Sequence, residues 1–285
     1  MILKKEIDKK ALEHEVSRST VDKDWVLGHF IDAIFSIDEC IEALVFKGGT
    51  CLRKCYFPNY RFSEDLDFTS INPDFKLSED LLRQIMSLVQ ERTGMQLHLE
   101  KVANLQHNDM PTGYAAIVKF WGADHSKDQA PPDPSRWNTS IKIEIILYEK
   151  MLFEPTAKAL YHDYSDELTT YVSAIACYDL REVLSEKLRA LIQRSYTAPR
   201  DYYDIWYLSR HVGNINWDEI KQAFFEKMAF KGLEFTGIDQ FLNDKSEKSV
   251  RGAWKSSLGH QIATKELPSF DEVKNDLEIL FSKIF

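Results

Sequence analysis

The chain has 285 residues, 44% apolar and 12% aromatic, enough to bury a core in one large domain or two modest ones. Its net charge of −9 argues against indiscriminate wrapping of nucleic acid, which needs a broad basic surface, but leaves room for a local basic groove. No apolar run approaches the length of a membrane span, and the charged start MILKKEIDKK lacks a signal-peptide core, so a cytoplasmic protein is expected.

In chain order, residues 8–39 carry an apolar stripe at helical spacing (Leu12, Val16, Val21, Trp25, Val26, Phe30, Ile34, Phe35). Leu44 to Phe46 read as a short buried strand ended by Gly48 and Gly49. Thr50 to Tyr56 read as a helix capped by Thr50. Asp65 to Ser70 is a strand, and Ser78 to Thr93 a helix with Ser78 as its cap and Gly94 past its end. Residues 96–103 and 114–121 alternate as strands of a hairpin, and 122–138 form a long polar loop. Thr139 to Tyr148 is a strand. From about residue 150 the pattern turns helical, which predicts an α+β domain over 1–160 followed by a mostly helical domain over 161–285.

The densest chemistry lies in FKGGTCLRKCYFPNYRFSEDLDFT, residues 46–69. In a strand, residues i and i+2 share a face, so Asp65 and Asp67 stand side by side while Leu66 and Phe68 face the core. Two adjacent carboxylates repel and lose hydration, which a cation between them relieves. Backbone N–H groups of a Gly-Gly turn can hold an anion close by. An anion cradle beside a dicarboxylate suits a magnesium nucleotide. Solvated acids on an edge strand are the plain reading of the same pair. Ser63 reads equally as a phosphate ligand or a turn serine, and Arg53 belongs to a basic cluster with Lys47, Lys54 and Arg61. Glu144, in IKIEII, is the candidate third carboxylate from a neighbouring strand, or else a partner of Lys142.

Farther on, Lys187 lies close to the apolar stripe Leu184, Leu188, Leu191 and either snorkels to water or binds phosphate. In RDYYDIW, Asp201, Asp204, Ile205 and Leu208 share a helix face, with Asp201 also placed to favour the helix dipole. Tyr202, Tyr203 and Trp206 read as core rather than base-stacking platforms. The four cysteines show no C-x-x-C spacing, the histidines no metal spacing, and no Walker A or G-x-S-x-G pattern occurs; reduced cysteines and no zinc site are expected.

GGTCLRK, RFSEDLDF, EKLRALIQR and RDYYDIW, in that order over roughly residues 25–210, resemble the AbiEii/AbiGii toxin family, which includes MenT-like toxins, within the polymerase-beta-like nucleotidyltransferase superfamily. The resemblance implies an α+β mixed sheet with flanking helices and a helical C-terminal domain. It implies Asp65, Asp67, Lys187 and Asp201 as catalytic residues, with Asp204 as understudy to Asp201. Gly48, Gly49, Thr50, Arg53 and Ser63 would bind the nucleotide, and Asp65, Asp67 and the secondary candidate Glu144 would bind Mg²⁺ or Mn²⁺. An NTP is the expected donor, RNA the expected acceptor (a tRNA 3′ end in particular), and an antitoxin the expected partner, with no membrane involved. A protein or small-molecule acceptor, or a non-catalytic nucleotide-binding module, are the rival expectations.

Overall fold

The computed structural model describes residues 2–107, 110–125, 129–169, 174–196 and 198–285. Residues 126–128 of the long polar loop lie outside this set. The chain divides into two compact units, residues 1–149 with 155–178, and residues 150–154 with 179–285.

In the first unit the helical stretch expected at 8–39 resolves into α1 (Lys4–Glu13), α2 (Arg18–Ile34) and α3 (Asp38–Ala43). The break after α1 has a local cause: Glu15 takes a left-handed φ of 54°, and the Ser17 side chain accepts from Thr20 N–H to start α2. There follow β1 (Leu44–Lys47), α4 (Gly48–Cys51) running into a π-helical turn (Leu52–Tyr56), β2 (Asp65–Ser70) and α5 (Glu79–Thr93). Ser78 caps α5 through Leu81 N–H, and Gly94 ends it at φ 71°, as their residue types dictate. The hairpin β3 (Gln96–His107) and β4 (Met110–Trp121), then β5 (Ser140–Ile146), β6 (Thr156–Lys158) and β7 (Ile175–Cys177) complete the unit. These strands form one mixed seven-stranded sheet in the order β3-β4-β5-β2-β1-β7-β6. The short β6 and β7 lie in a stretch that the sequence reads as helical.

β2 sits centrally, antiparallel to β1 and parallel to β5. Its inward face, Leu66 and Phe68, is fully buried beside Ile143 and Ile145 of β5. Phe68 stacks on Phe46 with ring centroids 5.2 Å apart. Helix α2 packs against β2, β5 and α5.

α2 also buries polar groups, several of them paired with distant partners. Asp24 accepts from Arg53 Nε (2.8 Å), Lys54 Nζ (2.6 Å) and the Tyr164 hydroxyl (2.8 Å). Asp32 accepts from Arg92 (2.7 Å) and Thr169 Oγ1 (2.9 Å). Asp166 accepts from Trp25 Nε1 (3.0 Å) and pairs with Nε2 of His29 and His162 at 3.2 and 2.9 Å. The segment around 161–169 is thereby strapped onto α2. The two cations beside it hold the Asp24 carboxyl well below the usual carboxylate range, against the opposing effect of burial.

The second unit is helical: α6 (Leu180–Gln193), α7 (Pro199–His211), α8 (Trp217–Phe230), α9 (Asp244–Leu258) and α10 (Phe270–Ile284). Asp179, Asn216, Asn243 and Ser269 each cap the following helix through a side-chain oxygen, and Pro199 occupies the first turn of α7. Phe224, Phe235, Phe241, Phe281 and Phe285 form an aromatic core. Glu182 and Lys227 form an ion pair from which water is excluded; Glu182 also accepts from the N–H groups of Leu152 and Phe153. Tyr202, Tyr203 and Trp206 are buried, as read; Tyr202 donates to the Phe241 carbonyl and Trp206 to Asp276.

Replacing Asp24 with Ala strands two buried cations and is expected to destabilise the protein by about 3–5 kcal/mol, with Asp24→Asn losing less. Urea unfolding of the two variants measures both.

Candidate active site

The glycine turn and the acid strand meet because β1 and β2 pair. Lys47, the last residue of β1, stands opposite Asp67. The chain then turns at once into α4, and Gly48 makes the turn with φ +80°, a conformation that L side chains rarely adopt. A Cβ at Gly48 would overlap the Asp67 carboxylate. A Cβ at Gly49 would come within 2.8 Å of Arg61 Nη2 and 2.9 Å of Ser63 Oγ. The first glycine therefore lets backbone lie against the acid, and the second lets Arg61 and Ser63 close over the turn.

The acid face of the sheet follows from register. Asp65 lies beside Lys142 and Asp67 beside Glu144 across the β2–β5 pairing. Glu144 thus occupies the neighbouring-strand position expected of a third acid. Its carboxylate is also paired with Lys142, so the competing expectation describes the same residue. Among the described residues, Asp65, Asp67 and Glu144 do not bring oxygens together as one mutual ligand group. Beyond Asp67 on the same strand face, the Tyr178 hydroxyl bonds Thr69 Oγ1 (2.5 Å), and Lys47 Nζ lies 5.2 Å from the Tyr178 ring centre.

Asp67 carries the electrostatic strain of this face. Loss of hydration, with Asp65 and Glu144 nearby, raises its carboxyl to about 6 despite the opposing effects of Lys47 and Lys142. A hard cation relieves that strain, and carboxylate oxygens are the donors Mg²⁺ takes when phosphates supply the remainder of its shell. The Asp65–Asp67 pair fits that ion.

Two expected nucleotide ligands are differently placed. Thr50 does not cap the helix: the helix begins at Gly48, and the buried Thr50 hydroxyl donates to the Asp65 carbonyl at 2.5 Å. It thus ties α4 to the acid strand. Arg53 is committed elsewhere, pairing with Asp24, bonding the Tyr60 carbonyl and lying 3.6 Å from the Phe62 ring centre. Ser63 sits over Gly49. Arg61, singled out by sequence only as a member of a basic cluster, reaches the second glycine, and Lys47, from the same cluster, joins Lys142 in acting on Asp67. Lys47's position directly before Gly-Gly was the available signal, and Arg61's was its place at the head of RFSEDLDF.

Within the helical unit, Lys187 of α6 pairs with Asp201 Oδ1 (3.2 Å) and Asp204 Oδ2 (2.5 Å) of α7. Arg194 Nε reaches Asp201 Oδ2 at 3.1 Å. Asp204 is the more deeply buried acid, and the two acids do share the inward face with Ile205 and Leu208. A cleft of about 380 Å³ opens beside Asp201, lined in part by Arg194, Tyr196, Lys245 and Ser246.

Because folding raises the Asp67 carboxyl from 3.8 to about 6, its charge opposes folding. That cost is absent below about pH 4, grows as pH rises between the two values, and is complete above about pH 6. Asp67→Asn is expected to match the parent protein near pH 4 and exceed it at pH 8, by on the order of 1–3 kcal/mol. Thermal unfolding across that range in metal-free buffer reads the difference.

The fold matches that of MenT4, a nucleotidyltransferase toxin from Mycobacterium tuberculosis H37Rv, with a TM-score of 0.60 at 17% identity over 98% of this chain and 99% of that one. It also matches a protein from H. pylori described as a candidate nucleotidyltransferase, with a TM-score of 0.51 at 17% identity over 97% and 95% of the two chains. No curated protein matches in sequence. Among the described residues, no helix is long and apolar enough to cross a membrane. The profile of the nucleotidyl transferase AbiEii toxins of type IV toxin–antitoxin systems matches residues 29–276. With that match spanning most of its length, the chain belongs to the AbiEii family of nucleotidyltransferase toxins.

Proposed function

We propose that this protein transfers a nucleoside monophosphate from an NTP to the terminal hydroxyl of an RNA, with a tRNA 3′ end as the preferred acceptor, and that a separately encoded antitoxin restrains it in the cytoplasm. The observation that carries the reading is the contact of the Gly48 backbone with the Asp67 carboxylate, which sets an anion-holding turn against a dicarboxylate.

In this reading the Gly48–Gly49 turn, with Ser63 and Arg61 over it, holds the triphosphate through N–H groups and positive charge. Asp65 and Asp67 hold Mg²⁺, or Mn²⁺, with Glu144 tuning their charge from the adjacent strand. The ion, when bound, neutralises phosphate charge and favours departure of pyrophosphate. Lys47 limits the repulsion between Asp67 and its neighbours. The acceptor hydroxyl gives up its proton to solvent as its oxygen bonds the α-phosphorus and the bond to pyrophosphate breaks. Lys187 serves the same reaction as a phosphate-binding cation, oriented by Asp201 and Asp204. The cleft beside Asp201, with Arg194 and Lys245 on its rim, suits an acceptor phosphate. Local basic groups on an acidic protein favour a chosen RNA end over general RNA binding.

A matrix of α-labelled NTPs against total RNA, purified tRNA and total protein, with magnesium, tests the assignment. Label on tRNA with stoichiometric pyrophosphate is expected; label on protein alone rejects the RNA acceptor, and release of a nucleoside diphosphate rejects nucleotidyl transfer. Asp65→Ala and Asp67→Ala are each expected to lose labelling by at least about 100-fold. If the folded double variant stays fully toxic, the protein acts by binding alone. Lys187→Ala is expected to lose a similar factor in turnover while magnesium-dependent stabilisation above pH 7 persists, a separation that calorimetry of the two variant sets reads directly.

A further inference from the structure

The cysteines, widely spaced in sequence, converge in the fold. Cys51 in α4, Cys55 in the π-helical turn and Cys177 in β7 place their sulfurs within 4.8 Å of one another. All three are fully or nearly fully buried and free of disulfides, whereas the fourth, Cys40, lies outside the group. The convergence has a clear origin. Cys51 and Cys55 are four residues apart on one helical segment, and Cys177 is drawn in because β7 pairs alongside β1 at Phe46.

Chance burial of cysteine as a small apolar residue is common, but three such residues around one point make a donor set of a particular kind. It is all sulfur, without a His, Asp or Glu donor joining it among the described residues. Thiolate donors select soft cations. Zinc in protein sites takes four ligands, whereas a cuprous ion is satisfied by three thiolates. The charges of Lys54 and Lys158 bear on the Cys55 sulfur. The same two lysines offset the negative charge that a cuprous tris-thiolate would carry.

We propose that Cys51, Cys55 and Cys177 form a trigonal thiolate site for a cuprous ion. Binding exchanges the thiol protons for the metal, with no change in oxidation state. The ion would join the helical segment that begins at Gly48 to β7, so its occupancy would stiffen the glycine turn from behind. Cys51 is the residue next to Thr50, whose hydroxyl holds the Asp65 carbonyl. This assignment is independent of the nucleotidyl transfer reading, since metal binding is read without substrate.

The test uses the reduced full-length chain under anaerobic conditions, titrated with Cu(I) as its acetonitrile complex against the chelator bicinchoninate. One equivalent is expected to resist the chelator, with sulfur-to-copper absorption in the ultraviolet. X-ray absorption is expected to report three sulfur neighbours, and the melting temperature to rise by several degrees. Cys40→Ser should behave as the parent does. Cys177→Ala, which keeps the site apolar, should bind at least about 100-fold more weakly with at most two sulfur neighbours; Cys55→Ser serves in its place should Cys177→Ala fail to fold by circular dichroism. Failure of the parent chain to retain copper against the chelator, a two-sulfur site in the parent, or equal retention by parent and the folded variant overturns the proposal.

Discussion

A single close approach organises the first unit: the backbone of Gly48 against the carboxylate of Asp67. It exists because β1 ends opposite Asp67 and the chain must turn into a helix with no side chain at the point of contact. Everything around the contact is arranged to tolerate it. Lys47 and Lys142 partly offset the crowded acids, Thr50 fastens the helix to the acid strand, and Ser63 and Arg61 cover the second glycine. The result is a carboxyl held at about 6, charged reluctantly in the absence of a cation. That reluctance belongs to the fold itself, since a carboxyl raised on folding destabilises the folded chain once it is charged.

The supports lie in layers behind the contact. The inward residues of β2 pack among Phe46, Ile143 and Ile145, so the outward acids stand on a rigid central strand. Arg53 illustrates how near function and scaffold can lie. It belongs to the same basic cluster as Arg61, eight residues from it in the same motif region, yet it neutralises Asp24 and braces Phe62 rather than facing the turn. A buried charge needs a partner more urgently than a surface phosphate does. The helical unit repeats the logic, with Lys187 held between two acids while Glu182 and Lys227 form a separate buried pair that fixes α6 to α8.

The alternation Asp65-Leu66-Asp67-Phe68 was sufficient to assign the strand, its two faces and the adjacency of the acids, because a period of two leaves no other arrangement with a buried core. Ser78 and Gly94 marked the ends of α5 for the same kind of local reason. The stripe of 8–39 marked helix but not the helix ends, because periodicity does not report a cap: the break at Glu15 to Ser17 interrupts a pattern that otherwise continues. β6 and β7 escaped notice since three-residue strands carry too few residues for any period to show.

What the sequence determined by itself was therefore local and periodic: the acid pair, the glycine turn, the inward face of α7 and the order of motifs that the family shares. Tertiary structure alone decided which charges meet. It sent Arg53 to Asp24 and Arg61 to Gly49, set Glu144 beside Asp67 while pairing it with Lys142, and brought Cys177 to Cys51 and Cys55 across more than a hundred residues of chain. The reason is physical. Alternation and capping act between neighbours along the chain, whereas charge pairing and metal-donor geometry depend on distances that exist only after strands far apart in sequence have paired.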